Sequence, residues 1–179
     1  MTAPSRADAA GFSFLLNGRT ETVSDVDPHT TLLGYLRARG LTGAKEGCAE
    51  GECGACAVVV VDRDAEGRAR FAAVNACLVL LAAVADAEIL TVEGIGRSAA
   101  LHPVQRALAE ASGSQCGYCT PGYIMAAEGL LRKNAAPSVD EIKTALGSNI
   151  CRCTGYVKII EAVQYAAGKI RDQRAPRAA

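Results

Sequence analysis

Apolar and polar positions change rhythm near the middle of the chain. In the first half the runs are short and rich in β-branched and aromatic residues. "FSFLL" (12–16) reads as a strand, Asn17-Gly18 as a tight turn and "TETVS" (20–24) as the return strand. "TTLLGYLRARG" (30–40) reads as a short helix with Leu32, Leu33 and Leu36 on one side and Gly40 near its end. "AVVVVD" (57–62), "FAAVNA" (71–76) and "AEILTVEG" (87–94) are further strand candidates. Residues 12–93 therefore mix strands with one helix, which predicts a small α+β domain.

"GIGRSAAL" (94–101) places Gly and Ser between apolar stretches and reads as a linker. Beyond it, over 102–172, the pattern turns helical. "HPVQRALAEAS" sets Pro103 at the first helical position, with Val104, Leu108 and Ala111 on one face. "TPGYIMAAEGLLRKN" repeats the arrangement with Thr120 as cap, then Ile124, Ala127 and Leu131. "SVDEIKTALG" opens on a capping box, Ser138 and Glu141, and stops at Gly147. "GYVKIIEAVQYAAGKI" puts Ile160, Val163, Ala167 and Ile170 on one stripe. Four short helices in sequence predict a helical bundle. Residues 1–11 read as a loose tail and "RDQRAPRAA" (171–179) as a frayed, solvated end.

A chain of 179 residues that is half apolar has material for one good core or two small ones, so it is globular. Its 19 basic and 19 acidic residues balance, which argues against a nucleic-acid or anionic-membrane partner. No apolar run reaches the roughly 18 residues of a membrane span. The start, "MTAPSRADAAGF", has neither a signal-peptide core nor a twin arginine. A cytoplasmic location is the expectation, with carriage across a membrane by a signal-bearing partner left open.

The eight cysteines at 48, 53, 56, 77, 116, 119, 151 and 153 change the picture most. A reducing compartment disfavours four disulfides, and scattered core thiols would not cluster in this way, so metal ligation leads. Cys48, Cys53 and Cys56 are spaced C-x4-C-x2-C, with Cys77 lying 21 residues beyond Cys56. That matches the plant-type ferredoxin spacing for a [2Fe–2S] cluster. Gly47, Gly51 and Gly54 let backbone N–H groups turn inward toward sulfur. A four-cysteine zinc site is the rival, although zinc knuckles usually show two C-x2-C pairs and this set has one. Cys116, Cys119, Cys151 and Cys153 form the second set. Its C-x-C pair is unusual for zinc, and both pairs lie just before expected helix starts, where helix dipoles favour added negative charge.

The segments "GCAEGECGAC", "NAC", "LHPVQ", "QCGYCTPG" and "NICRCTGY" carry a resemblance. In that order, over roughly residues 12–168, the chain resembles the iron–sulfur subunit of the xanthine oxidase family of molybdenum hydroxylases. Within it the chain looks most like the xanthine dehydrogenase small chains. The resemblance implies an N-terminal plant-type ferredoxin-like (β-grasp) domain and a C-terminal four-helix bundle domain, each holding one [2Fe–2S] cluster. It implies partners: a large molybdopterin-binding subunit that also binds substrate and a medium FAD-binding subunit, assembled as a dimer of heterotrimers. By position, Gln115 would hydrogen-bond the molybdopterin, and Cys153 would link its cluster to the pterin. The chain would then pass electrons from the molybdopterin centre to FAD. A purine or other N-heteroaromatic is the expected substrate class. The C-terminal motif also resembles chains of carbon monoxide, aldehyde and aryl-CoA oxidoreductases, and a free-standing two-cluster ferredoxin is the alternative of a different class.

Taken alone, Gln115 reads equally as a surface residue beside a ligand. His102, before Pro103, reads as a helix-start residue and His29 as a loop residue. Tyr118 and Tyr123 fit either a cover for a cluster or ordinary packing. No acid, base or nucleophile constellation stands out, which agrees with a chain that does no substrate chemistry itself.

Overall fold

The computed structural model describes residues 11–174. In chain order the elements are β1 (Phe12–Leu16), β2 (Arg19–Val23), α1 (Leu32–Ala38), β3 (Ala57–Arg63), β4 (Ala69–Asn75), a 3₁₀ turn (Leu81–Val84), β5 (Glu88–Leu90), and the helices α2 (Val92–Ile95), α3 (Pro103–Glu110), α4 (Thr120–Lys133), α5 (Val139–Leu146) and α6 (Val157–Arg174). The strands form one mixed sheet in the order β2-β1-β5-β3-β4. Among the described residues only the β1–β5 pairing is parallel.

Local chemistry accounts for most boundaries. Asn17 and Gly18 both take positive φ, 51° and 77°, the conformation a two-residue hairpin between β1 and β2 demands. The Thr31 hydroxyl caps α1 by accepting from the Gly34 N–H at 3.1 Å. Ser138 and Glu141 form the expected capping box at the start of α5, the Ser138 N–H donating to Glu141 at 2.7 Å and the Glu141 N–H to the Ser138 hydroxyl at 3.2 Å.

The unbroken apolar run of β3 is buried on both faces of the sheet. Val58 and Val60 turn toward a core built with Phe14, Leu32, Leu36 and Ile89. Ala57, Val59 and Val61 turn the other way, into a core shared with the helices α3–α6. The helix α4 lies on β3 and β4 and also packs against α3, α5 and α6. It is consequently buried along Gly122–Gly129 and at Leu131, rather than along the one stripe expected. Small residues make this double contact possible. A Cβ on Gly122 would run into the Gly54 carbonyl, so the helix approaches the first cysteine loop as closely as backbone allows.

Several boundaries differ from the sequence reading. The strand expected over 87–94 ends at Leu90, and Val92–Ile95 is a short helix. The chain turns there because Thr91 and Asn17 exchange two hydrogen bonds, at 2.9 and 3.0 Å, and because the Glu93 carboxylate accepts from the Gly43 N–H at 2.7 Å. Within the stretch read as a linker, Arg97 and Ala100 pair with each other through their main chains. Cys119, not Thr120, caps α4. The buried stripe of α6 starts from Ile159, while Ile160 is only half-buried. The helix also continues through Arg174, so the first four residues of the expected frayed end are helical. The remainder of that end and the tail over 1–10 lie outside the described residues. Among the described residues no helix is long and apolar enough to cross a membrane.

Candidate metal centres

The first cysteine set is built by a loop between α1 and β3 and by the end of β4. The loop folds back on itself through positive φ angles at Ala49 (58°), Gly51 (80°) and Gly54 (68°). For an alanine that conformation costs about 1–2 kcal/mol, so the loop shape is imposed by its surroundings. The result is a set of N–H groups pointed at sulfur. The Cys48 and Glu50 N–H groups donate to Cys53 Sγ and Cys48 Sγ, both at 3.4 Å, and the Cys53 N–H donates to Cys48 Sγ at 3.4 Å. The Asn75 amide donates to the Gly51 carbonyl and ties the loop to β4. Cys56 and Cys77 are buried, their sulfurs 3.3 Å apart.

The second set joins the turn before α4 to the segment between α5 and α6. Cys116 and Cys153 are exposed, with sulfurs 3.5 Å apart. Cys119 is half-buried and Cys151 buried. The Thr154 hydroxyl lies 3.1 Å from Cys151 Sγ, and the Cys151 N–H donates to the Tyr156 hydroxyl at 3.2 Å.

Each set thus holds one close sulfur pair. Two thiolates on one tetrahedral metal with bonds of about 2.3 Å sit about 3.8 Å apart, near the 3.3 and 3.5 Å of the two measured pairs. Among the described residues no three His, Cys, Asp or Glu side chains gather closely enough to hold a single metal ion. N–H bonds from Glu50 and Cys53 pull the Cys48 thiol down to about 6, while burial pushes Cys56 up to about 12. Burial also pushes Cys119 up to about 12. At Cys151 burial acts upward, yet the hydroxyl and N–H of Thr154 outweigh it and leave the thiol at about 7. The Tyr118 N–H lowers Cys116, and the Cys116 sulfur raises Cys153. Hydrogen-bond donors thus favour the thiolate form at Cys48 and Cys151, the form that binds metal. A Cβ on Gly47 would come within 2.9 Å of Cys53 Sγ, so the loop leaves this space to the sulfur.

The two sets are neighbours. The Ile150 N–H donates to the Cys53 carbonyl at 3.0 Å, and the Asn149 amide donates to the Gly54 carbonyl at 3.0 Å. The Tyr118 hydroxyl donates to the Glu46 carbonyl at 2.6 Å. A largely apolar cavity of about 280 Å³ lies between them, with Cys48 and Cys53 on one side and all four thiols of the second set on the other.

The remaining candidates separate. Gln115 is exposed in the bend beside Cys116. His102 caps α3 and faces Glu128 at 3.4 Å, away from either cysteine set. His29 lies in an exposed turn, its N–H donating to Asp27. Tyr123 is buried, and its hydroxyl donates to the Asn149 carbonyl at 2.6 Å. The sequence reading overlooked Asn149, Ile150 and Thr154. The local signal was their place beside Cys151 and Cys153: Asn149 and Ile150 meet backbone carbonyls distant in sequence, while the Thr154 hydroxyl meets Cys151 three residues away.

Two family descriptions match the chain: a 2Fe-2S iron-sulfur cluster binding domain over residues 14–82 and a [2Fe-2S] binding domain over 91–164. A xanthine dehydrogenase of Emericella nidulans is 48% identical over 152 residues, covering 84% of this chain and 11% of the relative. A xanthine dehydrogenase/oxidase of Mus musculus is 46% identical over 150 residues, with coverage of 83% and 11%. The chain thus spans about a tenth of the length of these curated relatives. Among solved structures, the aldehyde oxidoreductase of Desulfovibrio desulfuricans superposes with a TM-score of 0.81 at 38% identity, covering 91% of this chain and 17% of the other. A chain of quinoline 2-oxidoreductase from Pseudomonas putida superposes with a TM-score of 0.79 at 34% identity, covering 94% of this chain and 99% of the other.

Proposed function

This chain belongs to the [2Fe–2S] iron–sulfur domains of the xanthine oxidase family, and from that membership we propose that it is the electron-carrying part of a molybdenum hydroxylase. Cys48, Cys53, Cys56 and Cys77 hold one [2Fe–2S] cluster. Cys116, Cys119, Cys151 and Cys153 hold the other. Bound there, the clusters supply one-electron storage between a molybdopterin centre and FAD in partner subunits. The chain's own residues place the thiolates, aim N–H groups at them and hold the two loops together. The observation that carries this reading is the gathering of eight cysteines into two adjacent sets, each with one close sulfur pair. Pairs suit a two-metal cluster, in which each metal takes two thiolates. A single zinc would draw all four thiols to one point.

The strand order supports a β-grasp reading of the first domain, and the mutual packing of α3–α6 supports a four-helix bundle in the second, with domains over 12–93 and 102–172. Gln115 and the exposed Cys153 would face the molybdopterin on a large subunit, with a medium FAD-binding subunit nearby, in a dimer of heterotrimers. Eight free cysteines suit a reducing cytoplasm. A purine or related N-heteroaromatic substrate fits the names xanthine dehydrogenase and quinoline 2-oxidoreductase, while the aldehyde oxidoreductase likeness favours an aldehyde as the second reading.

The test is native purification followed by metal analysis, visible absorption and sequencing of the chains that come with it. Iron with equal acid-labile sulfide, two distinct EPR signals on reduction and a molybdopterin-binding partner are expected. Zinc in place of iron would overturn the reading.

A further inference from the structure

Tyr118 sits between Cys116 and Cys119 with about half its side chain in solvent, the situation of a residue free to swing. Instead its hydroxyl reaches 72 residues back along the sequence and donates to the Glu46 carbonyl at 2.6 Å. Glu46 lies two residues before Cys48. The intervening Gly47 has no side chain, and a Cβ there would stand 3.7 Å from the Tyr118 ring. The ring therefore lies against the first cysteine loop where that loop is bare backbone. It also lines the apolar cavity that separates the two sets of thiols.

We propose that Tyr118 is a positioning residue that clamps the Glu46–Cys48 segment onto the Cys116–Cys119 loop, and so fixes the separation of the two cluster seats. The proposal rests on the iron–sulfur reading above. The Ile150–Cys53 and Asn149–Gly54 bonds stitch the loops on one side of the cavity, and Tyr118 closes the other. With the hydroxyl bond in place, the segment carrying Cys48 moves with the segment carrying Cys116 and Cys119. Without it, the Glu46 carbonyl turns to water, and the Cys48 end of the loop keeps ties within its own half, among them the Lys45 N–H to the Ala55 carbonyl at 3.0 Å and the Cys48 N–H to Cys53 Sγ at 3.4 Å. Electron exchange between centres falls steeply with distance, so a fixed gap gives a single transfer rate and a loose one a spread.

The test uses the iron-loaded complex carrying Tyr118→Phe, which keeps the ring and removes the hydroxyl. Hydrogen–deuterium exchange at the Lys45, Cys48 and Glu50 amides should rise about fivefold, the effect of one net hydrogen bond, with α5 unchanged as the control. The magnetic splitting between the two reduced clusters in low-temperature EPR should narrow or broaden into a distribution, at unchanged iron content. Tyr118→Leu, which also removes the ring, should enlarge both effects. Unchanged exchange and splitting in Tyr118→Phe would overturn the clamp. So would loss of iron from that variant, since the hydroxyl touches no thiol. A wild-type complex without iron would defeat the functional reading instead, and the exchange measurement would still decide on the clamp.

Discussion

The Ile150 N–H donates to the Cys53 carbonyl at 3.0 Å, which ties the main chain just before Cys151 to the main chain of a cysteine in the other set. One residue earlier the Asn149 amide repeats the tie to the Gly54 carbonyl, and Asn149 is 4% exposed. These bonds lock two loops that are almost a hundred residues apart in sequence. Asn149→Ala removes one of two donors to the buried Gly54 carbonyl, which keeps the Ala57 N–H at 3.1 Å, and should cost about 0.5–1.5 kcal/mol. The exposed neighbour Ser148→Ala should stay within about 0.5 kcal/mol of wild type. Urea unfolding of the iron-loaded protein, followed by visible absorbance, measures both.

Replacing one thiol in either set should empty that set alone. Cys56→Ser removes a buried partner of Cys77, and Cys116→Ser an exposed partner of Cys153. Each variant should retain about half the iron of the wild type, because each set serves a separate cluster. EPR of the reduced variants should show complementary signals, one per variant. A variant that lost all its iron would mean that the sets load as a unit.

The close approach of α4 to the first cysteine loop gives a substitution with a defined sign. Gly122→Ala drives a methyl into the Gly54 carbonyl, main chain against side chain with no flexible atom to yield. The cost should be about 1–3 kcal/mol. Gly129→Ala, in the same helix, places its methyl 3.3 Å from that of Ala73. There the gain of up to about 1 kcal/mol in helix propensity offsets the crowding. Thermal unfolding should rank Gly122→Ala well below Gly129→Ala. Equal midpoints would show that the helix does not press on the loop.

Much of this arrangement was legible in the sequence where a residue speaks for itself. The hairpin at Asn17-Gly18, the capping box at Ser138 and Glu141 and the β-branched strand "AVVVV" each follow from local chemistry. The cysteine spacings divided the eight thiols into two groups of four. They did not reveal that the groups adjoin, because backbone groups of Cys53, Gly54, Ile150 and Glu46 make much of that contact, and backbone is the same in every sequence. The short helix α2 was missed because four residues are too few to show a period. The stripe of α6 holds at Val163, Ala167 and Ile170 but begins at Ile159 instead of Ile160, because the two are equally apolar and only packing against α3 and α5 chooses between them. In α4, alanine and glycine gave no hint that every side would be covered.

His102 occupies the N-cap position of α3 and faces the Glu128 carboxylate at 3.4 Å. Glu128 is almost wholly buried and also accepts from Arg132 at 2.7 Å. Three effects act on the imidazole. Burial disfavours its charged form and is the largest, the nearby carboxylate favours it, and the Arg132 guanidinium disfavours it, leaving the group below its ordinary 6.5. A histidine whose folded value lies below its unfolded one binds fewer protons when folded. Stability from this site is therefore complete above about pH 6.5 and declines as pH falls through the window beneath it. His102→Asn keeps a side chain suited to a helix cap and removes the titration. The stability of wild type relative to His102→Asn should therefore shrink on going from pH 7.5 to pH 5, read from urea midpoints at matched iron content. If the carboxylate governed the site instead, the imidazole would be held charged. The wild-type advantage would then grow on acidification, and that outcome would show that burial does not control the His102–Glu128–Arg132 cluster.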